Sequence, residues 1–451
     1  MIKTILNKQK LGSARSVVVK RNIIFSLILK GVSIFLSLLI VPITIDYVKK
    51  DQYGFWLTIS SIVSWISYFD LGLGNGLRNR YAESKAKGDS RMMAKYISTT
   101  YALMIGIFVI VFILFVVGNQ FINWNTFLNV TNVSNDICSR LMLIFVGLFC
   151  MNMVFRVTNS VLLGDQRTAL TSLIIVIEQC LSLIIIYALS KFAESNLLYL
   201  ASATAGVPVV VLMITTLIVY SRKGYLYNCR PSIKYIDFKL APSLLGLGVR
   251  FFLIQLSLLL IFQVVNIIIS RNCGHEMVAQ YQLSYKYFNM AYMIFVIILT
   301  PYWSAFTDAF AKNDFIWMKN VYKKLNILVL IAIPLLILMM ILSPVFFKLW
   351  INNTIDIPFE MHICMSLYIY SMIFAGTRMY ILNGIGKVTL QFIIYMTFAI
   401  LSIPMMNYLS EVIGVYGILL FLFLVYLVQG VVGSIQIHKL LSQTALGIWN
   451  K

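Results

Sequence analysis

Six basic side chains occur inside long apolar runs, where charge is costly and therefore usually serves a function. Two acidic side chains accompany them. Lysine and arginine bind phosphate oxygens, arginine through two parallel hydrogen bonds, so this imbalance favours an anionic cargo. The bases are Lys30, Arg140, Arg156, Arg250, Lys286 and Arg378, and the acids are Asp70 and Glu178. Together these residues predict a cationic cavity that binds a phosphate-bearing ligand.

The depth of each base allows two interpretations. Lys30, Arg156, Arg250 and Arg378 each lie about six to nine residues from a predicted cytoplasmic helix end, which is roughly 9–14 Å along a helix. A long side chain at that depth can extend to the lipid headgroups or face a cavity. Four bases at one depth would form a cationic patch where a lipid-linked anion enters from the inner leaflet.

Arg140 and Lys286 lie near the opposite, predicted periplasmic helix ends. Extension toward the headgroups is favoured for both, because the distance to the interface is short. If their side chains face inward instead, they would contact the same anion on the exit side.

Glu178 lies near the middle of the predicted fifth helix. A carboxyl group there can carry a proton through a transport cycle, or it can form a salt bridge with Arg156 or Arg250. Both interpretations stay open. Asp70, near the cytoplasmic end of the second helix, is expected to pair with a neighbouring base or to cap the following loop.

The elements that carry these residues are predicted to be membrane helices. The 451 residues are 60% hydrophobic and 12% charged, with a mean hydropathy of +0.88, which excludes a soluble globular domain. We therefore predict an all-α integral membrane protein with about twelve transmembrane helices. Their expected spans are 22–47, 53–76, 97–118, 138–163, 168–190, 197–220, 243–270, 280–305, 325–349, 361–383, 388–408 and 414–438.

Loop charge predicts the orientation. Of the 36 lysine and arginine residues, 25 fall in the amino-terminal tail, the even-numbered loops and the carboxyl-terminal tail, and five fall in the odd-numbered loops. Positive loops stay in the cytoplasm, so both termini are expected there. The net charge of +20 therefore needs no nucleic acid to explain it.

The sequence repeats weakly at about half its length, which predicts two parallel six-helix bundles. Ala86–Asp89 recurs in the second half of the chain as Ala311–Asp314. At nearly the same offset, Gly164, Arg167 and Leu170 recur as Gly384, Lys387 and Leu390. Gly88 is predicted to end one helix in a left-handed conformation, and Asp89 to cap the next. The predicted domains are an amino-terminal bundle (1–220), a basic cytoplasmic linker (221–242), a carboxyl-terminal bundle (243–438) and a cytoplasmic tail (439–451).

No pattern in the sequence indicates an enzyme. The cysteines and histidines lack metal-ligand spacing, and the run Gly72–Gly76 lacks the preceding strand of a dinucleotide-binding loop. We therefore expect no catalytic residue, no metal and no cofactor, although a proton or sodium gradient could supply energy.

One set of motifs resembles a known family. Tyr53–Trp56, then Phe69–Asn79, then the loop Ala86–Asp89 resemble the polysaccharide transporters of the multidrug/oligosaccharidyl-lipid/polysaccharide exporter superfamily. Within that superfamily the chain is similar to Wzx-type flippases of O-antigen or capsule repeat units. The resemblance implies two bundles around a cationic cavity that move undecaprenyl-pyrophosphate-linked oligosaccharide across the bacterial inner membrane.

The resemblance also implies residue roles and partners. Related flippases keep bases for the pyrophosphate in the first, seventh and eighth helices, and Lys30, Arg250 and Lys286 occupy those helices here. The expected partners are the lipid-linked oligosaccharide, membrane lipids, and a glycan polymerase with its chain-length machinery. Two alternatives remain: a multidrug or cation exporter of the same superfamily, which the excess of bases opposes, and a membrane-embedded glycan polymerase. The longest outward loop, residues 119–137, lacks the charged content of such a polymerase.

Overall fold

The part of the chain that the computed structural model describes contains helices and no strand. The described residues are 16–37, 39–40, 43–44, 46–48, 72–124, 134–351 and 357–450. The helix α1 is described within residues 16–48, and the others are α2 (Leu73–Ala86), α3 (Ser90–Asn119), α4 (Asn135–Gly164), α5 (Thr168–Phe192), α6 (Leu197–Tyr220), α7 (Ala241–Asn272), α8 (His275–Ala311), α9 (Phe315–Ile351), α10 (Phe359–Ile385), α11 (Thr389–Ile413) and α12 (Val415–Leu441).

These helices confirm the all-α membrane fold. Among the described residues, ten helices are long and apolar enough to cross a bilayer, because each contains an 18-residue window with a mean hydropathy of at least 1.2. Most of the predicted span 53–76 lies outside the described residues. The chain is a multi-pass membrane protein.

The chain divides into two compact units. The N-lobe comprises Lys20–Val249, and the C-lobe comprises residues 250–451 together with residues 16–19. In the N-lobe, α4 packs against α2, α3 and α6. In the C-lobe, α10 packs in the same way against α8, α9 and α12. Each contact recurs six helices later, which is the arrangement that two parallel repeats require.

The turn between α2 and α3 recurs between α8 and α9. In the first turn Gly88 has a φ of +75°, and the Asp89 carboxylate accepts the backbone N–H of Met92 at 2.9 Å. In the second turn Asn313 has a φ of +54°, and the Asp314 carboxylate accepts the backbone N–H of Trp317 at 3.3 Å. The predicted left-handed stop and carboxylate cap are therefore both confirmed.

The turn after α4 recurs after α10, and each begins at a closely packed glycine. A Cβ atom on Gly164 would lie 2.9 Å from the carbonyl oxygen of Arg78 and 2.9 Å from the ring of Tyr81. A Cβ atom on Gly384 would clash with the carbonyl oxygen of Trp303. Arg78 and Trp303 are related by the same offset as the repeated α2–α3 turn, so the two helix pairs pack alike.

Substitution of either packed glycine is expected to destabilise its lobe. Gly164→Ala and Gly384→Ala each force a helix backbone apart, at a cost of about 1–3 kcal/mol. Thermal unfolding of the purified protein in detergent would measure the loss. Gly106→Ala is the matched control, because nothing lies within 4 Å of its new Cβ atom. An equal midpoint for all three variants would contradict the close packing.

The even-numbered connections of the N-lobe meet at one end. Lys85, before the α2–α3 turn, forms an ion pair with Asp165 after α4 at 2.6 Å. Lys95 on α3 forms another with Asp237 before α7 at 2.8 Å. This clustering is what a consistent up-and-down path across a bilayer requires, while the cytoplasmic placement of that end stays a prediction.

Candidate functional site

The register between α1 and α5 sets the position of Lys30 in the N-lobe. The Asn22 amide donates to the carbonyl oxygen of Gln166 at 2.6 Å, and one turn later the Ser172 hydroxyl donates to Ser26 at 3.4 Å. Lys30 follows Ser26 by four residues and so lies on the same side of α1. Its half-buried side chain has no hydrogen bond or ion pair with any described residue. Among the described residues, nothing occupies the ammonium group.

Arg156 and Glu178 are the other embedded charges of the N-lobe. Arg156 on α4 is exposed, and Glu178 on α5 is half-buried within the electrostatic reach of Arg156. No ion pair joins Glu178 to a base among the described residues. Close to them in sequence, Asn159 and Gln179 each bury a side-chain oxygen that lacks a hydrogen-bond partner there. Sequence analysis missed these two amides, although amide side chains beside charges in a membrane helix also indicate a functional site.

Arg250 and Lys286 are embedded bases of the C-lobe. Arg250 on α7 is half-buried and donates to the hydroxyl oxygen of Thr389 at 2.9 Å. Lys286 on α8 is exposed and has no ion pair with an acid in the described ranges. Neither base is neutralised by a described carboxylate.

Arg378 differs from the other bases because it is 5% exposed inside the C-lobe. Its guanidinium group donates to Asn326 Oδ1 at 2.8 Å, Ser434 Oγ at 3.0 Å and the carbonyl oxygen of Phe374 at 3.2 Å. It also lies 4.0 Å from the centroid of the Phe374 ring. These contacts tie three helices together, so Arg378 is placed to support the fold, a role that sequence analysis did not consider.

Substitution of Arg378 is therefore expected to lower stability. Arg378→Met removes the guanidinium hydrogen bonds to Asn326 and Ser434, and a hydrogen bond to a charged group contributes about 1.5–3 kcal/mol. Thermal unfolding of the purified protein would measure the effect. Lys286→Met, which removes an exposed base of the same lobe, is the control and is expected to unfold near the wild-type temperature. Equal midpoints for both variants would contradict a structural role.

Arg140 and Asp70 complete the predicted set. Arg140 has a 66% exposed side chain and pairs with Asp136, one turn earlier on α4, at 3.0 Å. A surface pair of this kind contributes little to stability, but it gives Arg140 an acidic partner on its own helix. Asp70 lies outside the described residues.

A cluster of paired charges lies at the even-numbered end of the N-lobe. The Asp165 carboxylate accepts Lys85 Nζ at 2.6 Å, Arg167 Nε at 2.8 Å and the Tyr81 hydroxyl at 3.0 Å. Arg167 also lies 3.8 Å from the centroid of the Tyr225 ring. Burial raises the pKa of Tyr225 to about 12, so its hydroxyl stays neutral at physiological pH. These bases are engaged with Asp165, in contrast to Lys30.

The fold is that of the MATE transporters. The chain superposes on an outward-facing multidrug resistance MATE family transporter of the MOP superfamily with a TM-score of 0.78, at 13% identity over 95% of this chain and 96% of that one. A MOP superfamily transporter from Pyrococcus furiosus gives a TM-score of 0.76, at 14% identity over 95% and 96%. Identities this low establish the fold alone.

Curated relatives are named for O-antigen transport. A "Putative O-antigen transporter" of Salmonella typhi is 20% identical over 293 residues, 63% of each chain. A "Putative O-antigen export protein" of Yersinia pseudotuberculosis is 21% identical over 377 residues, 79% of this chain and 81% of the relative. No family model matches the chain. The fold and the relatives together identify a membrane transporter, not an enzyme.

Proposed function

We propose that this chain is a flippase that moves a lipid-linked oligosaccharide across the bacterial inner membrane by alternating access. The cargo would be an O-antigen or capsule repeat unit on undecaprenyl pyrophosphate. The names of the relatives support the class of cargo. The embedded charges of this chain support its anionic head group.

The uncompensated bases carry the proposal. Lys30, Arg156 and Lys286 have no ion pair with any described acid, and Arg250 is bonded only to a neutral hydroxyl. An unpaired charge within a membrane-spanning helix is costly, so a membrane protein keeps one where a counter-ion binds during function. A diphosphate supplies that counter-ion in the transported molecule itself. Arg140 is left out of this proposed set because it pairs with Asp136, and Arg378 because it is buried and makes three hydrogen bonds inside the C-lobe.

The proposed orientation of the chain in the membrane follows from the loop charges. With both termini in the cytoplasm, the even-numbered end of each lobe would face the cytoplasmic leaflet, where lipid-linked sugars are loaded. Glu178, an embedded carboxylate of the N-lobe, would then couple transport to a proton gradient. A polymerase and chain-length machinery would receive the product on the other side.

A multidrug or cation exporter is the second candidate, because a multidrug transporter shares the fold. Such a cargo is cationic and would require acidic side chains in the cavity. Glu178 is the one described acid among the embedded charges, whereas the bases outnumber it. The charge balance therefore favours the flippase.

Reconstitution into proteoliposomes tests the proposal. A polyprenyl-diphosphate oligosaccharide would be placed in both leaflets, and a membrane-impermeant glycosidase would report the fraction that crosses. We expect nearly complete digestion with the protein and about half without it. Cationic dye efflux from the same vesicles would test the exporter. Dye efflux without glycolipid transfer would contradict the flippase.

A further inference from the structure

The linker between α6 and α7, residues 221–240, runs along α3 of the N-lobe. The backbone N–H of Ser232 donates to Ser98 Oγ, and the backbone N–H of Asp237 donates to Thr99 Oγ1, both at 3.0 Å. The Thr99 hydroxyl in turn donates to the carbonyl oxygen of Asp237 at 3.3 Å. The second half of the linker is therefore held beside one turn of α3.

That turn of α3 marks the boundary of the bilayer core. The 20 residues after Thr99 contain no charged side chain and extend to the end of α3 at Asn119, which is the length of one membrane crossing. Lys95, one turn before Thr99, is the last charged residue ahead of this apolar run. At the other end of the linker, α7 begins at Ala241 and is itself long and apolar enough to cross a bilayer. Both helices place the second half of the linker at the depth of the lipid headgroups.

Two large apolar side chains of the linker lie on the protein surface at this depth. Ile233 is 87% exposed and Phe238 is 62% exposed. The first half of the linker, by contrast, buries Leu226 and Cys229 in the hydrophobic core of the N-lobe. An exposed apolar side chain at headgroup depth can pack among the lipid acyl chains, where it is removed from water.

The linker also carries an excess of exposed bases. The five are Arg222, Lys223, Arg230, Lys234 and Lys239. The one acid of the linker, Asp237, is paired with Lys95 of α3 at 2.8 Å. Within the described part of the chain, none of the five bases forms an ion pair. A cluster of uncompensated bases beside a bilayer attracts anionic phospholipids.

The orientation of the chain explains only part of this pattern. The positive-inside rule depends on lysine and arginine in cytoplasmic loops, and it gives no reason for bulky apolar side chains to be exposed beside them. Ile233 directly precedes the exposed Lys234, and Phe238 directly precedes the exposed Lys239. Apolar side chains alongside bases are typical of a segment that lies in the membrane interface.

We propose that the linker is an interfacial membrane anchor that binds anionic phospholipids of the cytoplasmic leaflet. Ile233 and Phe238 pack among the acyl chains, and Lys234 and Lys239 bind lipid phosphate groups. The anchor holds the N-lobe at a fixed depth in the bilayer. It requires no particular cargo, so it is independent of the proposed function.

The depth of the linker in lipid nanodiscs tests the insertion of its apolar side chains. An environment-sensitive fluorescent amino acid would replace Ile233 in the full-length protein, or Lys87 in the control. Lys87 precedes α3, whose first residue, Ser90, is about 14 Å along the helix from Thr99. Phospholipids with brominated acyl chains are expected to quench the probe at position 233 and to leave the probe at position 87 unchanged. Equal emission at the two positions would overturn the insertion and leave Ile233 for a soluble protein partner.

The lipid preference of the full-length protein tests the bases. Native mass spectrometry in detergent, with added phosphatidylglycerol or phosphatidylcholine, would measure the lipid that stays bound. The wild type is expected to prefer phosphatidylglycerol, and Lys234→Gln with Lys239→Gln to bind it about 25-fold more weakly, because each base beside an anionic surface strengthens binding about fivefold.

Lys87→Gln with Arg91→Gln is the matched control, because it removes the same charge from the same end of the N-lobe. Arg91 is exposed and lies about 12 Å along α3 from Thr99, which exceeds the range over which salt screens a surface charge. This control is expected to bind phosphatidylglycerol as the wild type does. Equal binding by both double variants, or a wild type that binds the two lipids equally, would overturn the anchor.

Discussion

The double variant Lys30→Gln with Arg250→Gln is expected to abolish surface glycan while the protein level stays at that of the wild type. Each charged hydrogen bond to a phosphate group contributes about 1.5–3 kcal/mol, so the loss of two weakens substrate binding by about a hundredfold or more. Glutamine keeps a polar, flexible side chain without the charge, which limits effects on folding. Complementation of a flippase-deficient strain, read by glycan staining and by immunoblot, would measure both quantities.

The control for this variant removes two bases of comparable type elsewhere. Lys319 and Lys323 are exposed near the start of α9 and have no described ion pair. Lys319→Gln with Lys323→Gln therefore lowers the net charge equally and is expected to leave surface glycan intact. Normal glycan in the Lys30 and Arg250 variant would remove both residues from the binding set. Loss of glycan in the control as well would show that total charge is what matters.

The fold could be predicted from the sequence because its strongest signals are local. A continuous apolar run of about 20 residues specifies a membrane helix whatever its neighbours are. The turn at Gly88 and Asp89 is equally local, since a left-handed stop and a carboxylate cap act within one turn of chain. The pairing of Arg140 with Asp136 is also local, because residues four apart meet on a helix surface, but the sequence analysis favoured extension of Arg140 to the headgroups instead.

The burial and hydrogen-bond partners of other embedded bases could not be predicted, because they depend on side chains far away in the sequence. Arg378 is hydrogen-bonded to Asn326 and Ser434, which lie on two other helices. No local pattern separates it from Arg250, which is half-buried beside a neutral hydroxyl.

Glu178→Gln is expected to abolish transport, and a second substitution separates the two interpretations of this carboxylate. A salt bridge requires an oxygen within about 4 Å of a basic nitrogen, and no described ion pair involves Glu178. Arg156 acts on it only through longer-range electrostatics. We therefore expect Glu178 to carry protons and the double variant Glu178→Gln with Arg156→Gln to remain inactive.

The proteoliposome assay measures this outcome under an imposed pH gradient. The wild type is expected to transfer glycolipid faster with the gradient, and Glu178→Asp, which keeps a titratable group, is expected to retain part of that response. Glu178→Gln has no proton to exchange, so it is expected to give no transfer either with or without the gradient. Recovery of transfer in the double variant would instead assign Glu178 to charge compensation of Arg156, because the neutral pair would then need no partner. Wild-type transfer by Glu178→Gln alone would exclude both roles and make the carboxylate a packing residue of α5.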